Sequence, residues 1–232
     1  MHRFFSDDLN TESSEITLNE VESNHACRVL RLINGDKIEL FNGRGVVSLG
    51  EISLSHHKHC VIKILEFSTF PHPRQKIHLA IAPTKGNDRF EWFLEKAVEI
   101  GVDEITPLLS ENSERFNLNY TRLEKVILSA MKQSLRTFMP TLHQPVKVKQ
   151  FIELNKNVVM AHCNINFERS ELRSIENDDS LTLLIGPEGD FSKSEIQFAI
   201  QNKVKSVSLG NNRLRTETAG LVAVTLLNAA RQ

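Results

Sequence analysis

Short apolar runs alternate with longer helical segments over most of the chain, and this order constrains the fold more than any other feature. Apolar residues at three- and four-residue spacing between the runs indicate helices. Strands that alternate with helices form a mostly parallel sheet with helices on both faces, so the sequence predicts an α/β domain. The runs with strand character are Lys76–Ala82, Glu104–Leu109, Val158–His162, Leu181–Ile185 and Val204–Leu209.

The helical segments carry recognisable ends. Asp88 and Glu91 predict a capping-box variant at the start of the first helix, and Ser192 and Glu195 predict one at the start of a later helix. Gly101 predicts the end of the first helix. The predicted helices are Asp88–Ile100, Asn119–Phe138, a helix after Ser192, and Thr216–Arg231.

The segment Pro71–Pro73 separates this part from a different pattern upstream. Its two prolines favour extended backbone and interrupt a helix or a central strand. Before it, closely spaced strands predict a small β-barrel with one helix at Glu20–Leu32. We therefore predict two domains, residues 1–70 and 74–232. The upstream strands are Lys37–Phe41, Val46–Leu54 and Cys60–Phe67.

Composition excludes several classes of protein. With 232 residues, 40% hydrophobic content and a net charge of −1, the chain can form a core and is not intrinsically disordered. No apolar run reaches the roughly 18 residues that span a bilayer, and the acids Asp7 and Asp8 do not fit a signal peptide. Three cysteines without a CxxC pair favour a reducing compartment. We expect a cytoplasmic protein without membrane association.

Two other patterns allow more than one interpretation. The segment His56–Cys60 contains three histidines and a cysteine but lacks the paired spacing of a structural zinc site, so we expect a solvated hairpin edge and no metal. Lys125, Lys132 and Arg136 share one face of a predicted helix. This face is either solvated or directed at phosphates.

Two strands run into glycine-containing loops, Gly186–Phe191 and Gly210–Gly220. In an open parallel sheet ligands bind at the carboxyl ends of strands, and glycine permits close approach of the backbone to a ligand. The loops therefore form either a backbone-lined binding site or ordinary turns. Neither a dinucleotide fingerprint nor a P-loop is present in the chain.

The paired motifs Leu184–Ser192 and Leu209–Ala219 closely resemble those of the bacterial 16S rRNA (uracil-N3)-methyltransferase family, in the knotted methyltransferase superfamily. The resemblance extends over essentially the whole chain, including Ala82–Gly86 and Glu99–Val102. It departs from the family at Lys132, Leu123, Asp190 and Asn211-Asn212.

The resemblance implies a PUA-like barrel followed by an α/β trefoil-knot domain, a homodimer, S-adenosylmethionine as methyl donor, and uridine 1498 of 16S rRNA in the small ribosomal subunit as target. The residues expected to bind the cofactor are Leu184, Ile185, Gly186, Pro187, Glu188, Gly189, Leu209, Gly210, Leu214, Arg215, Thr216 and Ala219. Those expected to contact RNA are Arg3, Arg28, Arg31, Lys85, Arg89 and Arg136.

Catalysis is expected to involve Arg215 and Glu217. A cation near the uracil oxygens stabilises the anion that develops when N3 loses its proton, and Arg215 lies in a loop expected to touch the cofactor. Arg215 could instead bind an RNA phosphate or pair with Glu217, and Glu217 is either a base or a structural carboxylate. Alternatives for the whole chain are a methyltransferase of another RNA and a non-catalytic RNA-binding protein. A metal-dependent hydrolase has only His56–Cys60 in its favour.

Overall fold

The computed structural model describes residues 1–113, 117–175 and 180–230. The chain divides into two compact units. The first contains Met1–His72 and Met131–Met139, and the second contains Pro73–Ala130 and Pro140–Gln232. The division expected from sequence did not assign residues 131–139 to the first unit, because they continue a helical pattern that begins in the second.

A five-stranded sheet forms the first unit, with strand order β1-β3-β4-β5-β2. Its pairs are antiparallel except for β1 and β3, which are parallel. Two register shifts between β4 and β5 mark bulges, which bend a sheet and aid closure. The strands are β1 (Arg3–Phe5), β2 (Glu15–Thr17), β3 (Lys37–Phe41), β4 (Val46–Leu54) and β5 (Val61–Thr69).

Close packing in this unit requires glycine at two positions. A Cβ on Gly50 would lie 2.4 Å from a methyl group of Ile62 on the neighbouring strand. Gly45 has a φ of +90°, and a Cβ there would lie 2.6 Å from the Phe138 ring. Phe138 belongs to the segment Met131–Met139, which explains why this segment is part of the first unit.

The segment Glu20–Leu32, predicted as one helix, contains a short α-helix followed by one π-helical stretch. The α-helix α1 (Glu20–Asn24) begins after Asn19, whose side chain accepts a hydrogen bond from the Glu22 amide at 2.9 Å. A single π-helical stretch, His25–Val29, follows it. Arg31 then adopts a left-handed φ of +57°, which ends the helical path.

An eight-stranded sheet forms the second unit. The order is β11-β13-β10-β12-β6-β7-β8, with β9 also paired to β7, and every one of these pairs is parallel. This confirms the predicted parallel sheet. The strands are β6 (Ile77–Ile81), β7 (Glu104–Leu109), β8 (Thr141–Leu142), β9 (Val146–Lys147), β10 (Val158–Ala161), β11 (Ser170–Glu171), β12 (Leu181–Ile185) and β13 (Lys205–Ser208).

Helices cover both faces of this sheet. Phe93 of α2 and Gly220 of α6 pack against Ile81, while Phe151 of α4 and Ile196 of α5 share a core with Ala80 on the opposite face. Adjacent residues of a strand point to opposite faces, which accounts for the separation. The helices are α2 (Asn87–Ile100), α3 (Tyr120–Ser134), α4 (Val148–Leu154), α5 (Lys193–Gln201) and α6 (Thr216–Ala230).

The helix ends agree only partly with prediction. The capping box of Ser192 and Glu195 is confirmed. The one expected from Asp88 and Glu91 is wrong, because α2 begins at Asn87 after Gly86 without a side-chain cap. Helix α3 ends at Ser134, since Leu135 has a φ of +57°. Arg231 lies outside the described residues, and within them no helix is both long and apolar enough to cross a bilayer.

Candidate functional site

The carboxyl ends of three neighbouring strands meet at one edge of the sheet in the second unit. Strand β10 lies between β12 and β13, and all three are parallel. A pocket opens between the residues that follow these strands. It therefore lies where ligands bind in open parallel sheets.

The loop after β12 is folded tightly around Phe191. A Cβ on Gly186 would lie 3.1 Å from the Phe191 ring and from its amide nitrogen, so a side chain there would push the loop outward. Asp190 has a φ of +62°, and its carboxylate accepts hydrogen bonds from the amides of Cys163 (2.8 Å) and Phe191 (2.9 Å). The bond from Cys163 joins the loop to the segment after β10, and the bond from Phe191 stabilises the loop itself.

The loop after β13 forms the opposite side of the pocket. Gly210 has a φ of +127°, and a Cβ there would meet no atom within 4 Å. The buried Thr216 hydroxyl donates to the Gly186 carbonyl at 3.1 Å, and Arg213 donates to the Glu188 carbonyl at 3.4 Å. The two glycine-containing loops are thus joined directly.

Most of the residues predicted to bind the cofactor line this pocket. Three do not: Leu184 is fully buried in the core, Gly189 is outside the lining, and Arg215 lines a neighbouring cavity. For Leu184 the reason is strand alternation, which directs its side chain toward the α4–α5 face. The predicted residues that line the pocket are Ile185, Gly186, Pro187, Glu188, Leu209, Gly210, Leu214, Thr216 and Ala219.

The neighbouring cavity is wide and open to solvent. Arg89, Trp92 and Arg215 line it, and Arg213 and Leu214 border both this cavity and the pocket. The Trp92 side chain is 47% exposed. Because two residues are shared, a ligand in the pocket and a second molecule in the open cavity would lie side by side.

Arginine and glutamate side chains lie where the pocket and the open cavity adjoin. Arg89 forms a 3.0 Å ion pair with Glu188, a residue of the pocket lining. Glu217, in the first turn of α6, is buried, and its Oε2 atom has no hydrogen-bond partner among the described residues. No ion pair joins Arg215 to Glu217 in that part of the chain, so the alternative in which Arg215 is held by Glu217 is not observed.

The residues predicted to contact RNA are placed differently from one another. Arg28 and Arg31 are exposed on the first unit. The Arg3 side chain is only 4% exposed, contacts Glu39 at 2.7 Å and lies over the Phe41 ring. Burial lowers the pKa of Arg3, and a contact between this side chain and RNA stays a prediction.

In the second unit, Lys85 and Arg89 are exposed near the start of α2. Arg136, in the segment assigned to the first unit, is half-buried. Lys132 forms a short ion pair with the buried Glu22, both within the first unit. The charge of Lys132 is therefore paired within the first unit, which favours a structural role for this side chain over a phosphate contact.

The histidine-rich segment His56–Cys60 does not assemble as a ligand set. The rings of His56 and His59 stack with centroids 3.6 Å apart, while Cys60 is fully buried in the barrel core. Local burial and, after it, neighbouring positive groups lower the pKa of His56. The segment lies in the connection between β4 and β5, where the Cys60 thiol is buried in the core of the first unit and the stacked imidazoles lie outside it.

Sequence reasoning missed the third side of the pocket, which follows β10. His162 is buried, and neither ring nitrogen has a partner among the described residues. Burial lowers the pKa of His162, so the neutral ring is favoured. The residues after β10 reach the two loops because β10 lies between β12 and β13 in the sheet. The sequence of the run Val158–His162 does not reveal this strand order. The missed lining residues include His162, Cys163, Arg169, Asp190, Asn212 and Arg213.

Comparison with known proteins agrees with this arrangement. A family profile described as RNA methyltransferase domain matches residues 71–228, and one described as RNA methyltransferase PUA domain matches residues 18–65. Over 225 residues the chain is 30% identical to ribosomal RNA small subunit methyltransferase E of Rickettsia conorii, with coverage of 93% of this chain and 91% of that relative.

Solved structures match over the full length. A probable rRNA methyltransferase of Porphyromonas gingivalis is 37% identical with a TM-score of 0.91, covering 100% of this chain and 98% of that one. Ribosomal RNA small subunit methyltransferase E of Neisseria gonorrhoeae, bound to S-adenosyl methionine, is 25% identical with a TM-score of 0.89, covering 99% and 98%.

The fold and the site define an RNA methyltransferase with an N-terminal PUA-like domain and a C-terminal α/β domain. More particularly, the chain belongs to the family of ribosomal RNA small subunit methyltransferases E. The resemblance inferred from the paired glycine motifs is confirmed, while the threading of the knot stays a prediction.

Proposed function

We propose that this protein transfers the methyl group of S-adenosylmethionine to N3 of uridine 1498 in 16S rRNA of the small ribosomal subunit. The observation that carries the proposal is the pairing of a loop-lined pocket with an adjacent open cavity that contains Arg215 and Glu217. The names of the Rickettsia and Neisseria relatives support the class of substrate and the cofactor.

The pocket fits S-adenosylmethionine in chemistry. Its apolar walls, which include Ile185, Leu209 and Leu214, suit an adenine ring, and the carboxylates of Glu188 and Asp190 suit ribose hydroxyl groups and positive charge. The open space beside the Gly210 backbone leaves room for close approach. When bound, the cofactor supplies an electrophilic methyl group.

Arg215 and Glu217 then act on the uracil. N3 carries a proton at neutral pH and is a poor nucleophile until that proton leaves. The Arg215 guanidinium, exposed in the open cavity, stabilises negative charge on the uracil oxygens. The buried Glu217 carboxylate, with one unpartnered oxygen, accepts the N3 proton or orients the group that does.

The proposal also covers docking on the ribosome, cellular location and oligomeric state. The first unit docks on the ribosomal subunit through Arg28 and Arg31, and the protein acts in the cytoplasm as a homodimer. Support for the dimer comes from the packed helices α2 and α6, where Trp92 and the half-buried Leu226 and Leu227 leave apolar surface uncovered. Light scattering that gives the monomer mass at micromolar concentration would contradict the dimer.

The decisive experiment uses small subunits from a strain that lacks this protein. Purified protein and radiolabelled S-adenosylmethionine are added, and the rRNA is mapped by mass spectrometry. We expect one labelled methyl group to be added to N3 of uridine 1498. Subunits from the parent strain should accept no label, because that position is already methylated in them. Methylation at another nucleotide, or of transfer RNA alone, would contradict the proposal. Equal rates on a short uridine oligonucleotide would contradict the choice of the assembled subunit.

A further inference from the structure

Three side chains with metal-binding atoms converge at the other edge of the second unit's sheet. His78 lies near the start of β6, Glu104 begins β7, and His143 directly follows β8. One donor atom from each lies within 4.8 Å of the other two. Among residues 1–113, 117–175 and 180–230, this is the one group of three or more such side chains that meets this distance.

The backbone fixes all three positions. His78 and Glu104 are direct partners in the parallel pairing of β6 with β7. The His143 amide donates to the Ile105 carbonyl at 2.8 Å, which places its ring beside the same strand. The two imidazole rings have centroids 5.4 Å apart, and His143 Nε2 lies 2.9 Å from Glu104 Oε2.

We propose that His78, Glu104 and His143 bind a zinc ion. Two imidazoles and one carboxylate form a donor set typical of Zn²⁺, with the fourth position left to water. Tetrahedral zinc at ordinary bond lengths separates its ligand atoms by about 3.3 Å. The three donor atoms already lie within 4.8 Å of one another, so no pair has to approach by more than about 1.5 Å to reach that spacing.

Outer contacts of the kind that orient metal ligands are already present. The His78 ring lies between two hydroxyls, with Nε2 at 2.8 Å from Thr106 Oγ1 and Nδ1 at 3.4 Å from Thr182 Oγ1. Each hydroxyl can donate or accept, so one ring nitrogen can bind the ion while the other keeps a hydrogen bond that orients the ring. Lys76 donates to Glu104 Oε1 at 3.0 Å, so the other carboxylate oxygen, Oε2, remains for the ion.

The position of the cluster separates it from the loop-lined pocket. The loop-lined pocket lies at the carboxyl ends of the strands, whereas His78 and Glu104 lie at the amino ends. A bound ion would connect β6, β7 and the segment after β8, and none of its three ligands lines the loop-lined pocket. The inference is therefore independent of the proposed function.

Calorimetry with zinc sulfate on the full chain, stripped beforehand with a chelator, tests the site. We expect one zinc ion per chain and an increase in melting temperature. His143→Gln and Glu104→Gln are each expected to raise the Kd for zinc by more than about tenfold. Loss of an outer contact to a metal ligand already lowers metal affinity by about tenfold or more, and these variants remove a ligand itself. Lys76→Met is expected to strengthen binding, because it removes a positive charge beside the ion.

The double variant His56→Gln/His59→Gln is the matched control, as it removes two imidazoles that lie outside the cluster. It is expected to bind zinc as the unaltered protein does. Loss of binding in this control, or undiminished binding by both His143→Gln and Glu104→Gln, would overturn the proposal. Absence of zinc binding by the unaltered protein, with its circular dichroism unchanged by the chelator, would overturn it as well.

Discussion

The hydroxyl of Thr216 donates a hydrogen bond to the carbonyl oxygen of Gly186 at 3.1 Å, out of contact with solvent. Thr216 is the first residue of α6, and Gly186 is the first residue after β12. This buried bond, together with the exposed one from Arg213 to the Glu188 carbonyl, joins the two loops that line the pocket.

Replacing Thr216 with valine tests this bond. The side chain keeps its shape, but the buried Gly186 carbonyl loses its donor, which costs about 1–3 kcal/mol of unfolding free energy. We expect weaker binding of S-adenosylhomocysteine by calorimetry together with a lower melting temperature. Thr216→Ser keeps the hydroxyl and should bind nearly as the unaltered protein does. Equal affinity of the valine variant would show that the loops hold their spacing without it.

Gly210→Ala is expected to weaken cofactor binding through the backbone. Its φ of +127° is strained for any other residue, at a cost of about 1–3 kcal/mol. Gly35→Ala is a matched control, because Gly35 also has a positive φ, +93°, and open space around its Cβ, but lies in the first unit. Both variants should melt at lower temperature, and only Gly210→Ala should lose affinity in calorimetry. Loss of affinity in both would point to a general effect of destabilisation.

Arg215→Gln should separate chemistry from cofactor binding. Arg215 lines the open cavity and not the pocket, so affinity for S-adenosylhomocysteine should persist. Loss of a preorganised positive group should lower the rate of methylation of small subunits by about 10²–10³-fold. Lys156→Gln, at an exposed cation that follows α4 and lines neither cavity, should leave the rate unchanged. A rate for Arg215→Gln within a few-fold of the unaltered protein would remove Arg215 from the catalytic group.

The cysteines should differ sharply in alkylation. Burial raises the pKa of the Cys60 thiol to about 12, whereas Cys163 is exposed and borders the pocket. At pH 8, iodoacetamide should modify Cys163, and S-adenosylhomocysteine should slow that reaction; Cys163→Ser is the control.

Cys60 should react only when the fold opens. A thiol with its pKa raised above the ordinary 9.0 stabilises the folded state below pH 9, and this contribution is lost as the pH rises toward 12. Peptide mapping that finds Cys60 modified at pH 8 in the folded protein would contradict its burial.

Periodicity and turn chemistry were sufficient to predict most elements. The apolar face Phe90, Phe93, Leu94, Ala97 and Val98 of α2 is buried as its spacing indicates. The capping box of Ser192 and Glu195 could be predicted because it depends on residues three apart. Features of this kind can be predicted because they depend only on residues that are close together in the sequence.

Contacts between segments that are distant in the sequence could not be predicted from such local patterns. Arg3 has the appearance of a surface residue in sequence, yet Glu39 and Phe41 of the parallel partner strand enclose it. The third side of the pocket at His162 depends on the order of strands β12, β10 and β13, which no local signal encodes. The His78–Glu104–His143 cluster likewise joins residues up to 65 positions apart.

The return of residues 131–139 to the first unit has a consequence for biosynthesis. As the chain leaves the ribosome, residues 1–72 emerge without the partners that later contact Gly43 and Gly45 through Met139 and Thr137. The barrel cannot complete its hydrogen bonds until almost 70 further residues have been made. The first unit therefore cannot finish folding independently of translation of the second, and a truncation that removes residues 1–70 would leave Phe138 without its site.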